Sequence, residues 1–220
     1  MKISILLLAF LNGVFIIQPF SGRENTNLVS GNVKSLKVHI LLLMDDDYGA
    51  NFNVDDESLN IAELFESFGW ELSIAALNDT VQPCEEAVKY FNRGTVKTDI
   101  RISEIKDLSI YQALVILPGR SHKNLINSKA ALILIQTAVQ NELVVAAWYR
   151  GVRVLAVADV VRGKRITGHA DYKEEYLKAG AEYVPDNPPP VVDGNIITTV
   201  RSRYYRQQMC EAIRKAVEEK

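Results

Sequence analysis

The stretch Val145-Ala146-Ala147-Trp148-Tyr149-Arg150-Gly151 decides how this chain folds. An apolar run over residues 143–148 leads into Tyr149-Arg150-Gly151, and a helical pattern follows through Val154, Leu155 and Ala158. A strand that turns sharply into a helix lifts one side chain clear of the sheet. It also points that side chain at a helix N-terminus, which stabilises negative charge. Many α/β hydrolytic enzymes hold a nucleophile at such a point. Here the residue is a tyrosine, whose phenol ionises at about 10 and is a weak nucleophile at neutral pH. The chain has the scaffold of a nucleophile elbow without the usual nucleophile.

Working outward, strands and helices alternate. Residues 36–44 form a continuous apolar run, broken in polarity by Lys37 and His39. Ile61, Leu64, Phe65 and Phe68 recur at helical spacing and predict a helix over residues 57–68, stopped by Gly69. Strands are expected over residues 71–77, 113–117 and 143–148. The last is apolar throughout, as a strand covered on both faces should be. Ala131, Leu134, Ile135 and Ala138 mark a further helix. A short strand at 165–167 and a helix at 172–179, closed by Gly180, come next. Val191-Val192 and residues 195–200 flank Asp193-Gly194, a hairpin signal. Met209, Ile213, Ala216 and Val217 form the stripe of a closing helix. This order predicts an α/β fold, a flavodoxin-like three-layer α/β/α sandwich with a mostly parallel central sheet. Ligands in such folds gather at the carboxyl ends of the strands. The relevant loops are residues 45–56, 118–122, 149–151 and 168–170.

The 220 residues suit one domain, residues 36–220, preceded by an extension over residues 1–35. Lys2 precedes an uncharged run over residues 3–17, and a polar stretch follows over residues 21–35. This reads as a signal peptide or signal-anchor plus a flexible linker, with membrane attachment through residues 3–20. Export or membrane association is expected; a cytoplasmic location is the alternative. A net charge of −2 argues against a broad nucleic-acid surface. Cys84 and Cys210 are too few and too far apart to be a disulfide framework, and are read as unpaired thiols. Asn78-Asp79-Thr80 is a glycosylation sequon, relevant on a secretory route.

Several segments resemble the ThiJ/PfpI superfamily, within the class I glutamine-amidotransferase-like fold. Residues 111–119 look like its Y-D-x-hydrophobic-P-G-G segment. Residues 145–151 look like its V-A-A-I-C-H-G elbow, and residues 160–167 like the V-L-x-G-x-x-x-T segment after the elbow helix. Residues 179–184 and 191–198 resemble its closing A-G-A-x-Y-V and V-V-D-G-N-L-I-T. The resemblance implies a cysteine at the elbow, a glutamate from the first helix and often a histidine. Here the cysteine becomes Tyr149 and the following residue, often histidine, becomes Arg150. Glu57 stands twelve residues before Gly69, as the family's glutamate does before its glycine, and His169 falls where many members place a histidine. The second glycine of P-G-G becomes Arg120, and the S-R-G-P stretch becomes Val200-Arg201-Ser202-Arg203.

The candidate catalytic residues are therefore Glu57, Tyr149 and His169. Gly119, Arg120, His122, Arg150 and Gly151 are candidates for ligand binding, and His39 is read as structural. No metal or cofactor is expected. The six carboxylates of Asp45-Asp46-Asp47 and Asp55-Asp56-Glu57 do not follow the spacing of a calcium loop and are read as a solvated loop. Arg201, Arg203, Arg206, Arg214 and Lys215 are read as a solvated basic face. A hydrogen bond between Tyr149 and Glu57 is expected, because both positions fall at the carboxyl edge of the sheet. Two functions remain open. One is a domain that has lost cysteine chemistry and acts as a small-ligand-binding or structural homodimer. The other is a hydrolase or lyase on small carbonyl or amide substrates (glyoxalase-, deglycase- or amidase-like), working through Glu57 and His169.

Overall fold

The computed structural model describes residues 37–49 and 60–220. The first part of the chain order is β1 (His39–Leu43), α1 (Ile61–Ser67), β2 (Glu71–Ala76), β3 (Thr80–Val81), α2 (Glu85–Phe91), β4 (Val96–Lys97) and β5 (Ile100–Arg101). It continues with β6 (Ala113–Ile116), α3 (Lys123–Asn127), α4 (Lys129–Gln140), β7 (Val144–Trp148) and α5 (Val152–Val157). The last part is β8 (Arg165–Ile166), α6 (Lys173–Lys178), β9 (Glu182–Tyr183), β10 (Val191–Asp193), β11 (Ile196–Thr199) and α7 (Ser202–Glu218).

Seven strands form one sheet in the order β10-β11-β7-β6-β1-β2-β5. Neighbours pair in parallel except β10 and β11, the hairpin expected from Asp193-Gly194. The three-layer form follows from side-chain alternation along the central strands. Leu41, Leu43, Leu114, Ile116, Val145 and Ala147 enter a core with residues of α4, α5 and α6. Their alternates, Ile40, Leu42, Ala113, Val115, Val144, Ala146 and Trp148, enter a second core with Ile61 and Phe65 of α1 and Met209, Cys210, Ile213 and Val217 of α7. Each large side chain so buried contributes roughly 1.5–3 kcal/mol. His39 is structural, as read: its Nε2 lies 2.8 Å from Ser73 Oγ and its ring packs on Tyr111.

Two boundaries differ from the sequence reading. The first helix begins at Ile61, not near residue 57, because Asn60 caps it. The Asn60 side chain accepts from Glu63 N–H at 2.8 Å, and Asn60 N–H donates back to the Glu63 carboxylate at 2.9 Å. This reciprocal capping box satisfies otherwise unpaired amides at the helix start. The short strand β8 pairs with β9 outside the main sheet. Glu57, Asp55, Asp56 and residues 3–20 lie outside the described residues. Among the described residues no helix is long and apolar enough to cross a membrane.

Candidate functional site

The elbow forms where β7 ends. Trp148 is extended, Tyr149 has φ 53°, and a single 3-10 turn over Tyr149–Gly151 leads into α5. A non-glycine residue in this left-handed region costs about 1–3 kcal/mol, so the surrounding structure must hold it there. Two constraints do so. The Tyr149 carbonyl accepts the His169 backbone N–H at 3.2 Å, and the Tyr149 hydroxyl accepts Arg201 Nε–H at 3.0 Å. Parallel pairing of β11 with β7 sets Thr199 beside Trp148, which delivers Arg201 to the elbow.

Beside it, the loop after β6 turns inward. His122 also has a positive φ, 52°, and its side chain is 1% exposed. Its Nε2 lies 2.8 Å from the Leu117 carbonyl oxygen, so that nitrogen carries the proton and donates. Its Nδ1 is buried without a partner among the described residues. Burial holds this imidazole below its ordinary pKa, and the nearby Arg150 adds to the effect; the Leu117 carbonyl and Asp45 oppose it. The ring lies against both Gly119 and Gly151: a Cβ built on either would come within 3.2–3.5 Å of it. The space between the two glycines is thus occupied by His122.

Asp45 corrects the reading of a wholly solvated acidic loop. It is 7% exposed, and its carboxylate accepts from the backbone N–H groups of Asp46, Asn124 and Leu125 at 2.9, 2.9 and 3.1 Å. It joins the β1 loop to the start of α3, and burial is tolerated because the charge is met by these donors. Asp46 accepts from Gln82 N–H at 2.9 Å, and the Asp47 carbonyl accepts from Arg120 N–H.

Around Tyr149 the groups are aromatic and cationic. The His169 ring centre is 4.2 Å from that of Tyr149 and 5.5 Å from that of Tyr172. The Arg150 guanidinium carbon lies 5.4 Å from the Tyr149 ring centre and 5.7 Å from that of Tyr172, and Nη1 donates to the Tyr172 hydroxyl at 2.9 Å. The Arg201 guanidinium carbon is 5.1 Å from the Tyr149 ring centre. His169 Nδ1 accepts from Asp171 N–H at 3.1 Å, which places the neutral ring's proton on Nε2. Burial and then Arg150 hold His169 below its ordinary pKa; Asp171 opposes this and Arg201 reinforces it.

The structure therefore brings Tyr149, Arg150, Gly151, His122, Gly119 and His169 to one end of the sheet. Arg120 lies more exposed on the rim, with Nη1 4.0 Å from a Glu86 oxygen. Arg201, which the sequence reading placed on a solvated basic face, instead serves the elbow. Arg214 and Lys215 of that same face pair with Glu211 and Glu219. Neither thiol is at the elbow. Cys84 caps α2 and Cys210 is fully buried on α7, where burial pushes its thiol well above the ordinary range. Among the described residues no group of three or more His, Cys, Asp or Glu is arranged to hold a metal ion.

The model of the DJ-1/PfpI family matches residues 50–215. An uncharacterized protein of Methanocaldococcus jannaschii is 30% identical over 197 residues, 88% of each chain. An uncharacterized protein of Archaeoglobus fulgidus is 31% identical over 104 residues, 47% of this chain and 60% of that protein, so the match spans little more than half of its length. A Pyrococcus horikoshii protein named as a deglycase is 27% identical over 123 residues, 52% of this chain and 72% of its own. Among solved structures, a ThiJ/PfpI domain protein from Brachyspira murdochii superposes with a TM-score of 0.70 at 20% identity, covering 84% of this chain and 99% of that one. At that identity the likeness speaks for the fold.

Proposed function

This chain belongs to the DJ-1/PfpI family, and on that premise we propose that it keeps the family's elbow as a binding feature rather than a catalytic one. Tyr149 stands where the family resemblance calls for cysteine, and the protein acts as a small-ligand-binding homodimer without cysteine-dependent catalysis. The observation that carries the reading is the state of Tyr149. Its backbone holds the strained elbow conformation at φ 53°, yet its hydroxyl is committed to Arg201. A phenol oxygen is a poorer nucleophile than a low-pKa thiolate, and here that oxygen is engaged by Arg201. The His122 ring lying against both Gly119 and Gly151 supports the same reading, because it fills space between the two loops that frame the elbow.

The alternative is a hydrolase or lyase using Glu57 and His169. It draws support from the relative named as a deglycase and from His169, which lies against Tyr149. One experiment separates the two. Because both thiols are buried, they are removed by substitution: a Cys84→Ser, Cys210→Ala variant is assayed beside the parent on methylglyoxal and on peptide substrates. We expect no turnover that depends on a thiol. Robust turnover lost in that variant, in protein that stays folded, would overturn the binding reading. Turnover that survives in it and is lost in His169→Gln would favour the alternative. Residues 3–20 are proposed as an export or membrane-attachment segment, so a chain beginning at Leu36 should fold with unchanged stability.

A further inference from the structure

Among the described residues, the elbow carries more positive charge than its neighbours neutralise. Arg101, Arg153, Arg162 and Arg214 each sit within 3.2 Å of a carboxylate oxygen. Arg150 and Arg201 are hydrogen-bonded instead to the neutral hydroxyls of Tyr172 and Tyr149. A guanidinium presents five N–H donors, and each of these two has one accounted for in this way. His169 adds another, since its Nδ1 accepts a backbone N–H and its Nε2–H has no partner among the described residues. All three side chains lie within 5.5 Å of the Tyr149 ring. The apolar ring faces exclude water on one side of the guanidiniums, which strengthens their interaction with any anion that arrives on the other. Among the described residues, the carboxylates near these groups lie at the rim: Glu86 is 4.0 Å from Arg120, and the exposed Asp171 is 3.6 Å from His169 Nδ1.

We propose that Arg150, Arg201 and His169 form an oxyanion-binding site, with the Tyr149 ring as its floor, that takes the carboxylate or phosphate group of a small organic acid. The inference rests on the ligand-binding reading and gives it a chemical class. Guanidiniums match planar or tetrahedral oxyanions with paired N–H···O bonds. A neutral imidazole N–H supplies a third donor without adding charge. The phenols of Tyr149 and Tyr172 fix the two forks in place before anything binds, so little side-chain freedom remains to be lost.

The test is calorimetric titration of the full chain with three probes: pyruvate, inorganic phosphate and the neutral pyruvamide. Pyruvate or phosphate should bind at least tenfold more tightly than pyruvamide, and added salt should weaken that binding. Arg150→Gln and Arg201→Gln should each weaken it tenfold or more, while Arg203→Gln leaves it unchanged. Tyr149→Phe keeps both guanidiniums but frees the Arg201 fork from the hydroxyl that fixes it, so it should weaken anion binding severalfold while the salt dependence and the preference over pyruvamide remain. That variant keeps the test decisive if Arg201→Gln fails to fold. Equal binding of pyruvamide and pyruvate, indifferent to both arginine variants, would overturn the oxyanion assignment and leave the ligand site standing. Binding of neither anion would also overturn it. If pyruvamide fails as well, the broader reading loses its support.

Discussion

Replacing Tyr149 with cysteine tests whether the elbow retains an environment that favours a negative charge. The variant keeps the backbone strain, since cysteine also carries a Cβ, and removes the ring. The two guanidinium carbons lie 5.1 and 5.4 Å from the ring centre. A sulfur closer to the backbone would sit about 6 Å from each. At an effective dielectric of about 40, between surface and bulk values, each guanidinium favours the thiolate by about 1.4 kcal/mol. That is about a tenfold effect on ionisation per cation. Partial burial at a half-covered site opposes this and takes back roughly half. A thiol that ionises at about 8.5 when free should then ionise at about 7.5. The assay is the rate of iodoacetamide modification against pH. Wild-type protein supplies the blank, because Cys84 and Cys210 are both buried. The midpoint should fall at about pH 7.5. The rate at pH 7 should exceed that of a free thiol by about threefold, after allowing for the lower nucleophilicity of a more acidic thiol. A midpoint at or above 8.5 in folded protein would refute the reasoning, because the arginines would then exert no field at the elbow.

Asp45→Ala should destabilise the fold by about 2–3 kcal/mol in urea denaturation, because three backbone N–H groups lose a charged acceptor, and Asp45→Asn by about half of that. Gly168→Ala should cost about 1–3 kcal/mol: its new Cβ would lie 2.8 Å from the Tyr176 hydroxyl, 2.9 Å from Val152 Cβ and 3.1 Å from the Tyr149 carbonyl oxygen. Acid should weaken the protein through His122. Its imidazole is held neutral in the fold, so the unfolded chain takes up a proton first, and stability falls as pH drops below about 6.5. His122→Asn, which tolerates the positive φ, should flatten that part of the urea midpoint against pH; an unchanged slope would assign the acid sensitivity elsewhere.

The parallel core was legible because its strands are long apolar runs and its helices have a clear period. The elbow was legible because an apolar run ending beside a glycine leaves few other geometries. The strands within residues 78–110 were not legible, since β3, β4 and β5 are two residues each and too short to show alternation. The start of α1 could have been found: Asn60 with Glu63 three residues on is a capping signal, and it outweighs the carboxylate at 57. The Arg201–Tyr149 bond joins residues 52 positions apart. It follows once β11 is set beside β7, a pairing that the likeness to the family's closing segment did not spell out. The inward turn of His122 depends on a left-handed backbone in a loop, which no periodicity encodes. The expected contact of Tyr149 with Glu57 falls outside the described residues.

The rims of the main sheet have a bearing on self-association. Among the described residues, one border is β5, two residues long, and the other is β10, three residues long and already folded back on β11. Such stubs leave few unsatisfied amides and carbonyls for an incoming chain to zip onto, which guards against runaway stacking of copies into fibres. It also narrows how two copies can meet. Borders this short give two copies little backbone to pair along, so any association of the described residues is expected through helix faces and loops, where side chains rather than backbone set the register.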